Sequence, residues 1–143
     1  MSKVVKKINF EIDDNFFLIG IVCPDTPAKL AWKINNYLNS GFVITEPLKI
    51  ISKSHPDYLF FTVYEYIDNL LLIEYHLIEN KTSNGFLIET QRNIDYFMKI
   101  SGEYNSNTGQ NIINELKKIE NIVTAFEINL DKLKEKHKQL FNF

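Results

Sequence analysis

The side chains able to carry chemistry are few, and their spacing limits what each can do. The histidines are His55, His76 and His137. None has a second ligand at metal spacing such as HxxxH, and the chain holds no CxxC. His76 shares the alternation of a strand-like run with Glu74, and a hairpin would turn Glu65 toward both. An imidazole with two carboxylates could hold a metal ion or act as a base, although polar residues on a strand also make an ordinary rim. Asp95 and Glu127 fall in two strand-like runs of the last β-α-β unit. On adjacent strands they would form a carboxylate pair suited to acid–base work; pairing with Lys99 or with a helix end is the structural alternative. Cys23 closes an apolar run just before a helix start, a position that can lower a thiol pKa. The sequence marks no base beside it, so it reads as a buried structural residue. GxSxG, Walker and GxGxxG motifs are all missing. The expectation is a protein that is not an enzyme and carries no cofactor and no metal motif.

Binding offers more. At 100° per residue, Leu30, Ala31, Ile34, Tyr37 and Leu38 form one apolar stripe of a helix. Trp32 falls on the opposite side, near Ala28, Asn35, Asn36 and Asn39. A tryptophan turned away from the core is a typical protein-contact residue, and cover by another part of the same chain is the alternative. Tyr64, Tyr66 and Tyr75 share a sheet face and could stack bases, but they lack cationic neighbours, which favours core packing. His137 and Lys132, Lys134, Lys136 and Lys138 read as a solvated tail helix, open at most to an acidic partner.

These residues need elements to position them. Val4 to Ile12 reads as an edge strand and Asp13 to Asn15 as a turn, followed by a buried strand from Phe16 to Cys23. Thr26 as N-cap and Pro27 at the first position start the helix, which runs to about Asn39 with Gly41 as its exit. Phe42 to Ser52 is a strand broken or bent at Pro47. Tyr58 to Asn80 is a hairpin turning at Asp68-Asn69, which sets Ile67 against Leu70, Val63 against Glu74 and Phe61 against His76. A turn at Asn84-Gly85, a strand from Ile94 to Ile100 and a loop from Gly102 to Asn107 follow. A helix then starts near Asn107, with Gln110 in capping-box spacing and Ile112, Ile113, Leu116 and Ile119 as its stripe. Ile122 to Ile128 is the last strand. Leu130 to Gln139 is a short tail helix, and Phe141-Asn142-Phe143 docks back onto the body. The order β-β-α-β-β-β-β-α-β-α predicts one α+β domain over residues 1–143. Its sheet is mixed or mainly antiparallel, with two helices on one face and a short C-terminal helix, an elaborated ferredoxin-like arrangement being one form of it.

Composition agrees. A chain of 143 residues buries roughly 70% of its unfolded surface and needs no staples. The net charge of −2, with Arg92 as the only arginine, gives no electrostatic reason to expect nucleic acid. No signal-type apolar region opens the sequence and no run approaches the ~20 residues of a membrane span, so the expectation is a cytoplasmic protein without a membrane partner.

Four segments carry a resemblance: LAWKIN (Leu30 to Asn35), YHLIENKTSNGFLI (Tyr75 to Ile88), IDYFMKISG (Ile94 to Gly102) and TAFEINLDKLK (Thr124 to Lys134). In this order they resemble the bacterial IPExxxVDY family, whose biochemical role is not established. The name-giving signature is degenerate here, with Ile88-Glu89-Thr90 leading to Ile94-Asp95-Tyr96. A missing Pro and Glu argue that the segment is architectural. The resemblance implies a cytoplasmic bacterial protein of unassigned activity. The expected function is therefore binding of a protein partner or of a second copy through the Trp32/Asn35 face. An RNA- or ribosome-associated factor is the alternative, and a small-molecule binder or small enzyme at His76/Glu74 or Asp95/Glu127 the third.

Overall fold

A computed structural model describes residues 15–52 and 57–143. The expected strand Val4 to Ile12, residues Asp13 and Asp14 of the turn, and His55 lie outside the described residues.

The apolar run after Asn15 forms β1 (Phe17–Val22), and Thr26 with Pro27 starts α1 (Pro27–Leu38) as the cap rules require: the Thr26 hydroxyl accepts the Lys29 N–H. Leu30, Ala31 and Ile34 are buried, but Tyr37, expected in the same stripe, is exposed. The helix ends on Asn39 in the left-handed conformation (φ 55°), not on Gly41. Asparagine tolerates that conformation, so the chain turns two residues earlier than glycine alone would indicate.

The expected strand Phe42 to Ser52 is two strands, β2 (Val43–Ile44) and β3 (Leu48–Ile51), in different sheets. Pro47, which has no N–H for a ladder, sits in the break. The first arm of the long hairpin divides in the same way at Thr62, into β4 (Tyr58–Phe61) and β5 (Val63–Asp68). Glu79 bridges that break: its carboxylate accepts the Thr62 N–H, and its own N–H donates to the Thr62 carbonyl. β3 and β4 pair with each other, whereas β5 pairs with β6 (Ile73–Glu79).

The β5–β6 register departs from expectation. Glu65 opposes His76 and Val63 opposes Ile78, four residues from the pairing that a two-residue turn would impose. The Asp68 carboxylate accepts the N–H groups of Leu70 and Leu71, and Leu72 takes φ 59°, so the loop spans residues 69–72. The shift is even, so each side chain keeps its expected face. It leaves Leu70, Leu71 and Leu72 exposed at the tip. Gly102 (φ 89°) lets the backbone approach this loop, since a Cβ there would lie 2.5 Å from the Leu72 carbonyl oxygen.

Beyond β6, the Asn84-Gly85 signal yields a small hairpin of β7 (Lys81–Thr82) and β8 (Gly85–Phe86). One 3₁₀ turn (Glu89–Gln91) leads into β9 (Tyr96–Gly102), then α2 (Thr108–Leu116) and β10 (Thr124–Glu127). The capping box expected at Asn107 does not form: Asn105 accepts the N–H groups of Asn107 and Thr108, while Gln110 donates to Asn114. Gly109 brings α2 against Phe17, whose ring would lie 2.3 Å from an added Cβ. The tail is not one helix from Leu130 to Gln139. It is a 3₁₀ turn (Leu130–Lys132), one turn of α3 (Glu135–Lys138) and a second 3₁₀ turn (Gln139–Phe141), with Phe141 fully buried.

The main sheet has the order β10-β1-β9-β6-β5-β2, and every described pair is antiparallel. Numbered as first to fourth, β1, β6, β9 and β10 stand in the order 4-1-3-2 with α1 and α2 in the crossover positions. That is the ferredoxin-like pattern, extended at one edge by β5 and β2. One face carries Ile19, Ile21, Leu77, Met98 and Ile100 beneath the stripes of both helices. The other carries Leu18, Val63, Ile78 and Phe97 beneath the β3–β4 pair and the tail, with Phe141 packed edge-on to Phe97. No helix among the described residues is long and apolar enough to cross a membrane.

Candidate functional site

α1 presents its outer face to solvent, with Trp32 66% exposed and Tyr37 46% exposed. The two rings flank a shallow cleft of about 270 Å³ between α1 and the segment leaving α2, lined also by Lys33, Asn36, Lys118, Ile119 and the exposed acid Glu120. Ala28, Asn36 and Asn39 are exposed around it, as expected. Asn35 is not part of this surface. Its carbonyl oxygen Oδ1 accepts the Phe42 N–H (2.7 Å) and the Ser40 hydroxyl (2.9 Å), and its Nδ2 donates to the Phe42 carbonyl. Asn35 therefore clasps the chain where it leaves α1 for β2, a role that helical periodicity cannot reveal because its partners lie beyond the helix. Lys33, on the wall of the cleft, donates to Asp25 at 2.8 Å, and this bond, assisted by Asn121, holds the Asp25 carboxyl below the usual range.

The polar cluster on the opposite face forms as expected. Glu65 stands across from His76 on neighbouring strands, and Glu74 precedes His76 by two residues on the same face. His76 Nε2 and Glu65 Oε2 are 2.9 Å apart, and one ligand atom from each of the three residues lies within 4.8 Å of the others. His76 is 5% exposed, and among the described residues its Nδ1 has no hydrogen-bond partner. Burial pushes the imidazole pKa below its ordinary value, reinforced by Lys99 and opposed by the hydrogen bond to Glu65 and by Glu74. Phe143 packs edge-on against the ring at 4.9 Å, and Lys99 donates to the backbone oxygens of Phe141 and Phe143. Beside the cluster a cavity of about 440 Å³ opens between Thr45, Glu46, Leu48 and Phe143.

Asp95 and Glu127 are not brought together. Asp95 precedes β9, Glu127 lies in β10, and β1 runs between those strands. Asp95 instead accepts the Cys23 N–H at 2.8 Å, and its neighbour Tyr96 donates to the Asp25 carbonyl at 2.5 Å. Both bonds fasten the β1–α1 connection, so the Ile94-Asp95-Tyr96 triplet is built into the architecture. The Cys23 thiol is buried and its pKa is raised by desolvation, which opposes a nucleophilic role despite the helix start beside it. A cleft of about 730 Å³ borders this region, but its acids have internal partners: Asp25 on Lys33, Glu79 on the Thr62 N–H and Asp95 on the Cys23 N–H.

The tyrosines do not form an exposed platform. Tyr66 stacks on Tyr75 at 5.5 Å and Phe42 packs against both, within the core beneath the helices. His137 belongs to α3 and joins no cluster of metal-ligating side chains among the described residues. Two features escaped sequence reasoning. Tyr37 lies at the margin of the helical stripe, where angle alone cannot assign it. The exposed Leu70-Leu71-Leu72 tip was signalled only by three consecutive leucines beside a turn.

No family model matches this chain, and no curated protein is similar to it.

Proposed function

We propose that this chain is a non-enzymatic binding protein whose contact surface is the outer face of α1, centred on Trp32. The observation that carries this reading is an indole two-thirds exposed on a well-capped helix, beside a second exposed aromatic and a shallow cleft. Burying such a residue contributes about 2 kcal/mol or more at an interface. The α1 segment PAKLAWKINNYL holds two lysines and no acid. The fitting occupant is a segment of another protein that puts an apolar side chain into the cleft and carboxylates beside Lys29. Kinship with the IPExxxVDY proteins belongs to the same proposal, with the signature segment as scaffold and not as reaction centre.

Trp32 is the only tryptophan, so its fluorescence reports on this surface alone. A partner captured with the tagged protein from its source cells, in the presence of nuclease, is purified and titrated against it. The expected result is a blue shift of the indole emission on binding. Trp32→Ala is expected to weaken affinity by about 30-fold while changing folding stability by less than ~0.5 kcal/mol. A partner that binds Trp32→Ala as tightly as the wild type overturns the assignment, and capture lost on nuclease treatment transfers the case to RNA.

A further inference from the structure

We infer that Glu65, Glu74 and His76 form a binding site for one divalent transition-metal ion of the zinc or manganese type. The site lies on the sheet face opposite α1 and is independent of the Trp32 surface.

Three independent features point there. The first is ligand type and placement. Cross-strand pairing sets Glu65 opposite His76, and the alternation of β6 puts Glu74 on the same face. One imidazole and two carboxylates are ligands that zinc and manganese accept. The second is reach. Two ligands of one ion can be at most about 4.4 Å apart, twice a metal–ligand bond of ~2.2 Å. The ligand atoms here lie within 4.8 Å of one another. Closing that gap asks only a small movement of Glu74, whose side chain is exposed.

The third feature is a fixed ring. His76 is 5% exposed and Phe143 packs edge-on against it at 4.9 Å, so Nε2 is held facing the Glu65 carboxylate at 2.9 Å. An ion bound there takes the place of the proton that Nε2 and Glu65 share, and the ring need not turn. The opposing charge is Lys99, next to His76 across the β6–β9 pair, but its ammonium is directed to the backbone of the tail. Three protein ligands leave further positions on the ion to water, and the adjoining cavity of about 440 Å³ gives water access.

The full chain, stripped of metal, is titrated with Zn²⁺ and Mn²⁺ by calorimetry, with thermal melts recorded in parallel. One ion per chain should bind and raise the melting temperature. Glu74→Gln alters an exposed residue and should keep the fold while weakening binding by about 10-fold or more. His76→Asn removes the nitrogen ligand and should abolish the stoichiometric phase. If its melt shows that His76→Asn does not fold, Glu65→Gln replaces it and should weaken binding to the same degree as Glu74→Gln. Absence of saturable binding by the wild type below about 1 mM overturns the site. So does unchanged binding by Glu74→Gln, or by whichever of the other two variants folds.

Discussion

Asn80 tests whether the signature segment is scaffold. The residue is fully buried at the end of β6, and its side chain binds the loop that leads to β9 at three points. Nδ2 donates to the carbonyls of Gln91 (3.0 Å) and Ile94 (2.8 Å), and Oδ1 accepts the Ile88 N–H at 2.8 Å. Asn80→Ala removes all three bonds at once. The Gln91 carbonyl keeps the Ile94 N–H at 3.1 Å. The Ile88 N–H and the Ile94 carbonyl lose the amide that meets them, in surroundings where Ile88 and Ile94 are fully buried. Each orphaned group costs about 1–3 kcal/mol, so the expected loss is about 3–5 kcal/mol with the small void included. Against a total stability of roughly 5–15 kcal/mol this is large. Asn80→Asp is the matched control. It keeps volume and acceptor but turns an anionic oxygen toward two carbonyl oxygens, so it should cost as much at neutral pH and recover on acidification. Urea denaturation measures both variants, and hydrogen exchange at Ile88 should rise in step. A loss below ~1 kcal/mol for Asn80→Ala would mean that the loop holds itself, and the scaffold reading of Ile88 to Tyr96 would fail.

Two further predictions rest on burial. Ile34→Ala and Leu116→Ala each empty a fully buried position beneath a helix and should each destabilise by ~2–5 kcal/mol; melting like wild type in either would refute the helix registers. His76 sets an acid limit. Burial disfavours its imidazolium, so the unfolded chain takes up the proton first as pH falls. The stability linked to His76 is whole above the ordinary pKa near 6.5 and drains as pH drops through it toward the lowered folded value. Melting temperatures of wild type and His76→Asn should therefore diverge less at pH 5 than at pH 7, and parallel pH profiles would show that the proton is not linked to folding through this ring.

Local rules were enough wherever the partners of a residue lie within its own segment. Thr26 and Pro27 started α1, the stripe Leu30, Ala31, Ile34 chose its buried side, and alternation put every β5 and β6 side chain on its observed face even though the register was four residues off. The register error shows the limit of the rule. Asp68-Asn69 has the residue types of a two-residue turn, but the Asp68 carboxylate captures two N–H groups further on and lengthens the loop. Pro47 was readable as a break or bend, but neither it nor Thr62 as a point where the chain changes sheets, because that depends on how the β3–β4 pair covers the second face.

The same distinction explains which polar residues retain chemistry. Asn35 read as surface and Asp95 as a carboxylate-pair candidate or an ion-pair partner, yet both, like Asn80, are occupied by backbone groups 7 to 72 positions away. A short polar side chain beside a chain reversal is the natural partner for the amides that the reversal strands, and each of these sits at one. Trp32 and His76 escape this use for opposite reasons. The indole is too large and too exposed to serve a turn. The imidazole is fixed in a sheet whose backbone bonds are already made, with Glu65 as its one hydrogen-bond partner among the described residues. Interaction capacity that the architecture does not consume is what a ligand can use, which is why we propose the contact surface at the first and the metal ion at the second.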